Sequence, residues 1–510
     1  MRCVRGSGGA AAGSKLKWQL RLVLQWSMFC VGGAALAQAG PADELHRGQH
    51  TTYRVINLGP GTIATYPHIN AAGQVGYSLI HAGRTTGFFF DGARVRNIGS
   101  LGGGIVYVFG LNEAGQLTGT SLNEHRRENA FVWSAGGGML DLRAHPERDY
   151  SYGMAINNRG VVTGSFGASA RPFRWSPASG VEDLGVTPGL PSPSSGRVLN
   201  DAGLIAGAIT IDDERNRAFV WTRAGGLVDI DTLGSYESAP VAVGARGEVA
   251  GNRLVSEDAE GDRPFLWTAA TGMLDLGIGR GTTAWVNAMT PDLHIAGVVG
   301  YGDGRQRAMS WTRRTGIREL GTLGGRTSVA RGVNGRGQIV GFAENSAGAM
   351  RAFVWSAGGG MLDLNRRLRH APSGLVLDFA YVINDSGAIV AGSNAGLVLL
   401  QPDRGQRSGL TLGPVLAAQS VKVGAPLQAS VSFVDGDRIG TRSIAWAWGD
   451  GSGGAARTLG GRDGTGSASA SHSYAAPGVY TVTATVADRD GRSTVVAHTV
   501  VVTAGDENTG

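Results

Sequence analysis

The chain has 510 residues, of which 84 are glycine, 17% are charged and 42% are hydrophobic. The usual shares are about 7% glycine and ~25% charged. That apolar content excludes wholesale disorder, which needs low hydrophobicity and high net charge, and the lack of a Gly-X-Y period excludes collagen. Most of the formal charge of +6 is carried by the first 39 residues, which hold Arg2, Arg5, Lys15, Lys17 and Arg21 and no acid. Without these five, 41 basic residues face 40 acidic ones, so there is no basic footprint for nucleic acid.

In chain order, the first element is a targeting segment. Residues 15–39 carry basic residues, an apolar run from Leu22 to Leu36, and small residues in the A-x-A pattern at Ala35–Ala37 and Ala37–Ala39. These are the three parts of a secretory signal peptide. The run is short for a bilayer span, which needs about 20 residues, so residues 1–39 are predicted to be removed and 40–52 to be a linker. Both cysteines, Cys3 and Cys30, lie in the removed part. The exported chain is then expected to have no disulfide, thiol nucleophile or cysteine metal ligand. No later apolar stretch is long enough to span a bilayer, so no stable membrane insertion is expected after signal removal.

Residues 53–402 repeat. An apolar tag ends in tryptophan at Trp133, Trp175, Trp221, Trp267, Trp311 and Trp355, at spacings of 42, 46, 46, 44 and 44. Further copies end at Phe90 and Leu400. Upstream of each tag is an N-x-x-G turn: Asn70–Gly73, Asn112–Gly115, Asn157–Gly160, Asn200–Gly203, Asn334–Gly337 and Asn384–Gly387, with degraded copies at Gly244–Gly247 and Thr290–Leu293. Downstream is a Gly-led run ending near Asp-Leu, as in 137–142 and 359–364. Each unit reads as four short strands, a to d, with no sustained helical period. The Asn-x-x-Gly suits a type I turn between a and b. Four antiparallel strands per ~44 residues predict an eight-bladed β-propeller.

The ends of the array are offset. Residues 53–59 read as a lone strand d, and the unit ending near Leu400 lacks one. The N-terminal strand is therefore expected to complete the last blade and remove its edge. A β-solenoid or open array would not explain that offset. The tag tryptophans are expected to pack blade against blade.

The motifs IN-x-x-G-x-V-x-G, A-F-x-W and G-G-M-x-D-L, best seen in 333–364, resemble the HAF-type extracellular repeat of bacteria. The resemblance implies an extracellular location and propeller-like folding, and no activity. Its tag begins with His, where this chain has Arg351, Arg217 or Asn129, so no histidine role carries over.

Residues 403–415 read as a linker, and 416–503 change rhythm. Strands are expected at 420–424, 427–435, 443–450, 480–488 and 494–502, the set of an immunoglobulin-like β-sandwich. Trp446-Ala447-Trp448-Gly449-Asp450-Gly451-Ser452, His472-Ser473-Tyr474 and 477–482 resemble a PKD domain, although Ala447 stands where that family usually has Asp. Residues 453–470 read as a long, mobile, glycine-rich loop, and 504–510 as a tail.

No motif carries chemistry. There is no H-E-x-x-H, and His46 and His50 lie in the linker. There is no G-x-S-x-G elbow, although Ser165 and Ser452 each follow a glycine. GIGRG (277–281) and YGDGR (301–305) precede strands, whereas a phosphate loop needs a following helix. Asp435, Asp437, Asp450, Asp488 and Asp490 could suggest calcium, but Asp450-Gly451 reads as turn chemistry and no EF-hand loop is present. Acids cluster in the b–c connections at Glu124, Glu128, Asp212–Glu214, Glu257, Asp258, Glu260 and Asp262, mixed with Arg126, Arg127, Arg215 and Arg263; solvated loops account for them.

No catalytic, cofactor-binding or metal residue is therefore assigned, and no cofactor is expected. The sequence predicts an exported extracellular, cell-surface or periplasmic protein. Its function is read as binding or adhesion, with a glycan or protein partner of the envelope or its surroundings and no nucleic acid. Two alternatives stand: a polysaccharide-active enzyme using loop carboxylates, and a purely structural envelope component. The face carrying the b–c and d–a connections is the expected ligand surface.

Overall fold

A computed structural model describes residues 51–144, 150–167, 170–185, 194–211, 215–256, 261–369, 371–403, 410–435, 440–461, 465–487 and 493–504. The predicted signal peptide, residues 1–39, and most of the predicted linker after it lie outside the described residues. The chain is all β, and the one helical element among the described residues is a single 3₁₀ turn at Leu364–Arg367. Among the described residues, no helix is long and apolar enough to cross a membrane.

Between Thr52 and Asp403 the strands form eight antiparallel sheets, each of four consecutive a-to-d strands except the last. The sixth and seventh are joined by one parallel pairing, Gln306 with Thr327. The eighth borrows a strand: Thr52–Gly59 pairs antiparallel with Gly396–Asp403 across the whole repeat region, with Tyr53 opposite Pro402 and Val55 opposite Leu400, and carries the two-residue strand Leu368–Arg369 parallel on its other side. This is the pairing that the offset ends imply, and it covers what would be an open edge. The a strands lie side by side in succession, and the eighth, Leu377–Ile383, adjoins the first, Thr62–Ile69.

The tag residues hold sheet to sheet. Trp133, Trp175, Trp221, Trp311 and Trp355 are buried. Trp133 packs on Phe89 of the preceding sheet at 5.1 Å between ring centroids, and Trp355 shares a core with Leu320 of its predecessor. In four copies the Asp of the Asp-Leu pair faces the start of the tag, as in Asp141 with Asn129 (2.8 Å) and Asp229 with Arg217 (3.0 Å). The following apolar residue closes the core.

The second glycine of the repeat has a steric cause. In strand b it faces a bulge of strand a, where the register slips by one residue. A Cβ on Gly164 would lie 1.7 Å from the Tyr152 carbonyl oxygen, and one on Gly119 would lie 1.8 Å from that of Tyr107. Only glycine admits such an approach.

From Leu410 a two-sheet sandwich follows. One sheet holds Leu410–Leu412, Leu416–Ala417, Pro426–Asp435 and Thr465–Ser473. The other holds Ser420–Lys422, Gly440–Ala447, Gly453–Gly461, Gly478–Ala487 and Ser493–Thr503. Two sequence expectations are corrected here. The 403–415 linker is partly strand: Asp403 ends Gly396–Asp403, and Leu410–Leu412 pairs with Phe433–Asp435. The 453–470 segment is not one loop: it contributes the strand Gly453–Gly461 and most of Thr465–Ser473. Its glycine, alanine and serine lack the β-branched signal, yet Ala468 and Ala470 alternate inward onto the sandwich core. The sandwich sits against the repeat region, with Ala497 and Val479 packed into the cluster of Leu58, Leu79 and Leu397.

Candidate functional site

The N-x-x-G turns do more than reverse the chain. In each of the six intact copies, Gly N–H donates to the Asn carbonyl and the glycine has positive φ, as at Gly73 and Gly387. The Asn amide then reaches out of its own sheet. Nδ2 of Asn70 donates to the Asn112 carbonyl (3.2 Å), Asn112 to Asn157 (3.0 Å), Asn157 to Asn200 (3.0 Å) and Asn200 to Gly244 (3.0 Å). Asn334 donates to Asn384 (2.9 Å), and Asn384 returns to the Asn70 carbonyl at 2.9 Å across 314 residues. A second row joins the residues after the asparagines, as in Asn158 N–H to Asp201 (2.9 Å) and Gly335 N–H to Asp385 (2.7 Å). The two degraded turns, at Gly244 and Thr290, have no amide to offer. At the first, Glu248 fills the space beside Gly244 and takes the Arg246 side chain at 3.1 Å.

The a strands of the seventh, eighth and first sheets bring together an arginine–aromatic cluster. The Arg331 guanidinium lies over the Tyr66 ring at 5.3 Å and the Phe342 ring at 5.8 Å. Tyr66 meets Tyr381 edge-on at 6.2 Å, and Tyr381 stacks with Phe379 at 6.4 Å. Burial lowers the Arg331 pKa, with Tyr66 and Tyr381 acting against it. Tyr66 stays 46% exposed, so the cluster has an accessible aromatic surface. Elsewhere on the a strands, Tyr107 and Phe109 stack at 6.3 Å, and Arg197 is lowered by burial with Glu237 opposing.

The acids of the b–c connections are divided by the fold. Glu128 and Asp262 occupy equivalent places, five residues before a tag tryptophan. Each accepts a hydrogen bond from an aromatic side chain on the next sheet's a strand: Tyr152 to Glu128 and Trp285 to Asp262. Burial raises the Asp262 carboxyl, against the Trp285 bond. Burial raises the Tyr152 hydroxyl, helped by Glu128. Glu124 is exposed in its turn. Arg215 lies over the Tyr236 ring at 5.3 Å, and Arg263 approaches Asp275 at 3.8 Å. Asp212–Glu214, Glu257, Asp258 and Glu260 lie outside the described residues. GIGRG and YGDGR are inter-strand turns, closed by Gly281 N–H to Ile278 and Gly304 N–H to Tyr301.

In the sandwich, Asp450 organises the W-x-W-G-D-G-S hairpin. It accepts Ser452 N–H at 2.9 Å and the Ser452 hydroxyl at 2.5 Å, and pairs with His472 Nε2 at 2.7 Å. Burial opposes ionisation, but the Ser452 bonds and His472 prevail and hold the Asp450 carboxyl at about 2. Serine and histidine both address the carboxylate, so His472 does not stand between Ser452 and Asp450 as a triad base would. His472 also stacks on Trp448 at 5.0 Å and meets Tyr474 edge-on at 4.7 Å, and Tyr474 Oη donates to the Trp448 carbonyl at 2.9 Å. The hairpin is held by an aromatic column. Among the described residues, no group of three or more His, Cys, Asp or Glu side chains could hold a metal ion. Asp437, Asp488 and Asp490 lie outside the described residues.

These motifs match a known family model over residues 413–504. Residues 413–504 are a PKD domain. Among solved structures, the PKD domain of an M14-like peptidase from a Thermoplasmatales archaeon matches with 20% identity and a TM-score of 0.15, covering 18% of this chain and 91% of that one. The CARDB domain of a Pyrococcus furiosus protein matches with 16% identity and a TM-score of 0.16, covering 18% and 87%. The Aleuria aurantia lectin in complex with α-methyl-L-fucoside matches with 10% identity and a TM-score of 0.26, covering 52% and 94%. No curated protein matches the chain.

Proposed function

We propose that the chain is an exported recognition protein of the cell envelope or its surroundings. In this reading residues 53–402 are a closed eight-bladed β-propeller of HAF-type repeats, with glycan as its ligand, and the PKD domain is an accessory contact. The asparagine relay that returns from Asn384 to Asn70 supports closure, as does the borrowed strand Thr52–Gly59. Export rests on the basic, apolar and A-x-A pattern of residues 15–39.

The observation that carries recognition is the Arg331–Tyr66–Tyr381 cluster. An exposed Tyr66 ring beside a guanidinium offers a flat apolar face with a positively charged edge, a surface on which a sugar ring can stack. The test is a glycan and envelope-polymer array with the full chain beside Tyr66→Ala and Arg331→Ala. Saturable binding that both substitutions weaken is expected. Binding unchanged by either, or none on the array, contradicts the reading.

A further inference from the structure

The third, fourth and fifth sheets line an open cavity of about 390 Å³ on the side of the a–b and c–d turns, opposite the face that the sequence favours. Four arginines line it: Arg159 and Arg246 from a–b turns, Arg174 from a tag strand and Arg223 from a c–d turn. Its apolar wall is Val161, Leu204 and Trp221.

Arg174 breaks the repeat. It is the third residue of the tag, a place held by Val132, Val220, Leu266, Ser310 and Val354 in the other tryptophan-ending copies. Val132 there is buried in the core shared with the next sheet. The Arg174 side chain is only 17% exposed, so this copy puts a guanidinium where its equivalents seal an interface. The residue after the turn glycine also differs. Gln74, Gln116 and Gln338 accept a bond from their turn asparagine at 2.8, 2.8 and 2.9 Å, whereas Val161 and Leu204 leave an apolar wall.

The acids nearby do not balance these cations. Asp201, the one carboxylate of the lining, accepts Asn158 N–H at 2.9 Å and Asn158 Nδ2 at 2.8 Å. Outside the lining, Glu182 takes Arg223 at 2.9 Å and Arg174 at 3.5 Å, and Glu248 takes Arg246 at 3.1 Å, so three carboxylates face four guanidiniums. Each guanidinium has five N–H donors, so most donors around the cavity remain for a ligand. Arginine forks match carboxylates two bonds at a time. The size falls at the small end of ligand pockets, about 300–1,000 Å³, with room for one or two sugar rings.

We infer that this cavity binds an acidic saccharide, with a uronate carboxylate on the arginines and the sugar ring against Val161, Leu204 and Trp221. The site is separate from the Arg331 cluster, and either can fail without the other.

The test is calorimetric titration of the full chain with a galacturonate oligosaccharide, its uncharged galactose counterpart, a sulfated galactose oligosaccharide, sodium sulfate and a glutamate oligopeptide. Saturable binding of the galacturonate is expected, weakened by salt and at least about tenfold weaker in Arg174→Val. Tyr66→Ala should leave it unchanged. Arg223→Ala, at an exposed position, gives a second weakened variant should Arg174→Val disturb the fold. No galacturonate binding, equal binding of the uncharged oligosaccharide, or unchanged affinity in both arginine variants overturns the inference. So does preference for the sulfated sugar, sulfate ion or peptide.

Discussion

The repeat region and the PKD sandwich reach stability by different routes. The repeat region spreads its cohesion over many equivalent devices: a tag tryptophan, an Asp against the tag, and an amide to the next turn. The sandwich concentrates it in one column of Trp446, Trp448, His472, Tyr474 and Tyr480 over one core. Repetition tolerates local loss, as the degraded turns at Gly244 and Thr290 illustrate. Its weak point is the seam where first and last sheets join. A single column has no spare copies, and any member is a weak point.

The largest effect should come from the seam. Removing residues 1–60 takes away the strand that buries Tyr53 and Leu58 and bares the edge Gly396–Asp403. Light scattering after size exclusion is expected to show self-association, and urea unfolding to lose its sharp transition. A monomer with unchanged unfolding would mean the seam is unimportant. Next is Trp448→Ala, expected to cost the sandwich about 3–5 kcal/mol. Calorimetry should show the sandwich transition lowered and the repeat transition little moved; equal lowering of both would merge two regions that we treat as distinct.

Acid should weaken the repeat region through His68, whose pKa burial lowers to about 4 from the ordinary 6.5. The folded state binds this proton less readily than the unfolded chain, so stability is present above pH 6.5, falls toward pH 4 and then levels. The loss is at most about 3.4 kcal/mol. His68→Gln should flatten that part of the stability curve, and an unchanged slope would assign it elsewhere. The smallest effect is Asn384→Ala, which leaves Ala388 N–H without its side-chain acceptor and removes the closing donor to Asn70. About 1–3 kcal/mol is expected by chemical denaturation, more than for Ala135→Ser on an exposed c–d turn.

Much of this contrast is legible in sequence. The ~44-residue spacing, the turn motif and the tag give the strand order, and the offset ends give the borrowed strand. The PKD motifs give the sandwich. The asparagine relay is not legible from one unit, because the Asn384 acceptor is 314 residues away; the one signal for it is that Asn keeps its place in six copies. Strands 453–461 and 465–473 are hidden because glycine, alanine and serine carry turn signals and no apolar weight. The acids are misleading as a group, since Glu128 and Asp262 serve aromatic partners on neighbouring sheets. The arginine-lined cavity leaves a trace only in the odd tag PFRW, and the convergence of Arg174 with Arg223 and Arg246 depends on how successive sheets stack.

The proposed ring closure, on which the Tyr66–Arg331 site depends, is tested most directly by a disulfide across the seam. Arg54 and Gln401 are register partners whose side chains bond at 2.5 Å. In a chain with Cys3 and Cys30 changed to serine, Arg54→Cys with Gln401→Cys should oxidise in air to an intramolecular disulfide, read by peptide mass spectrometry in a monomeric protein. Thiols that stay reduced, or that join separate chains, would contradict closure.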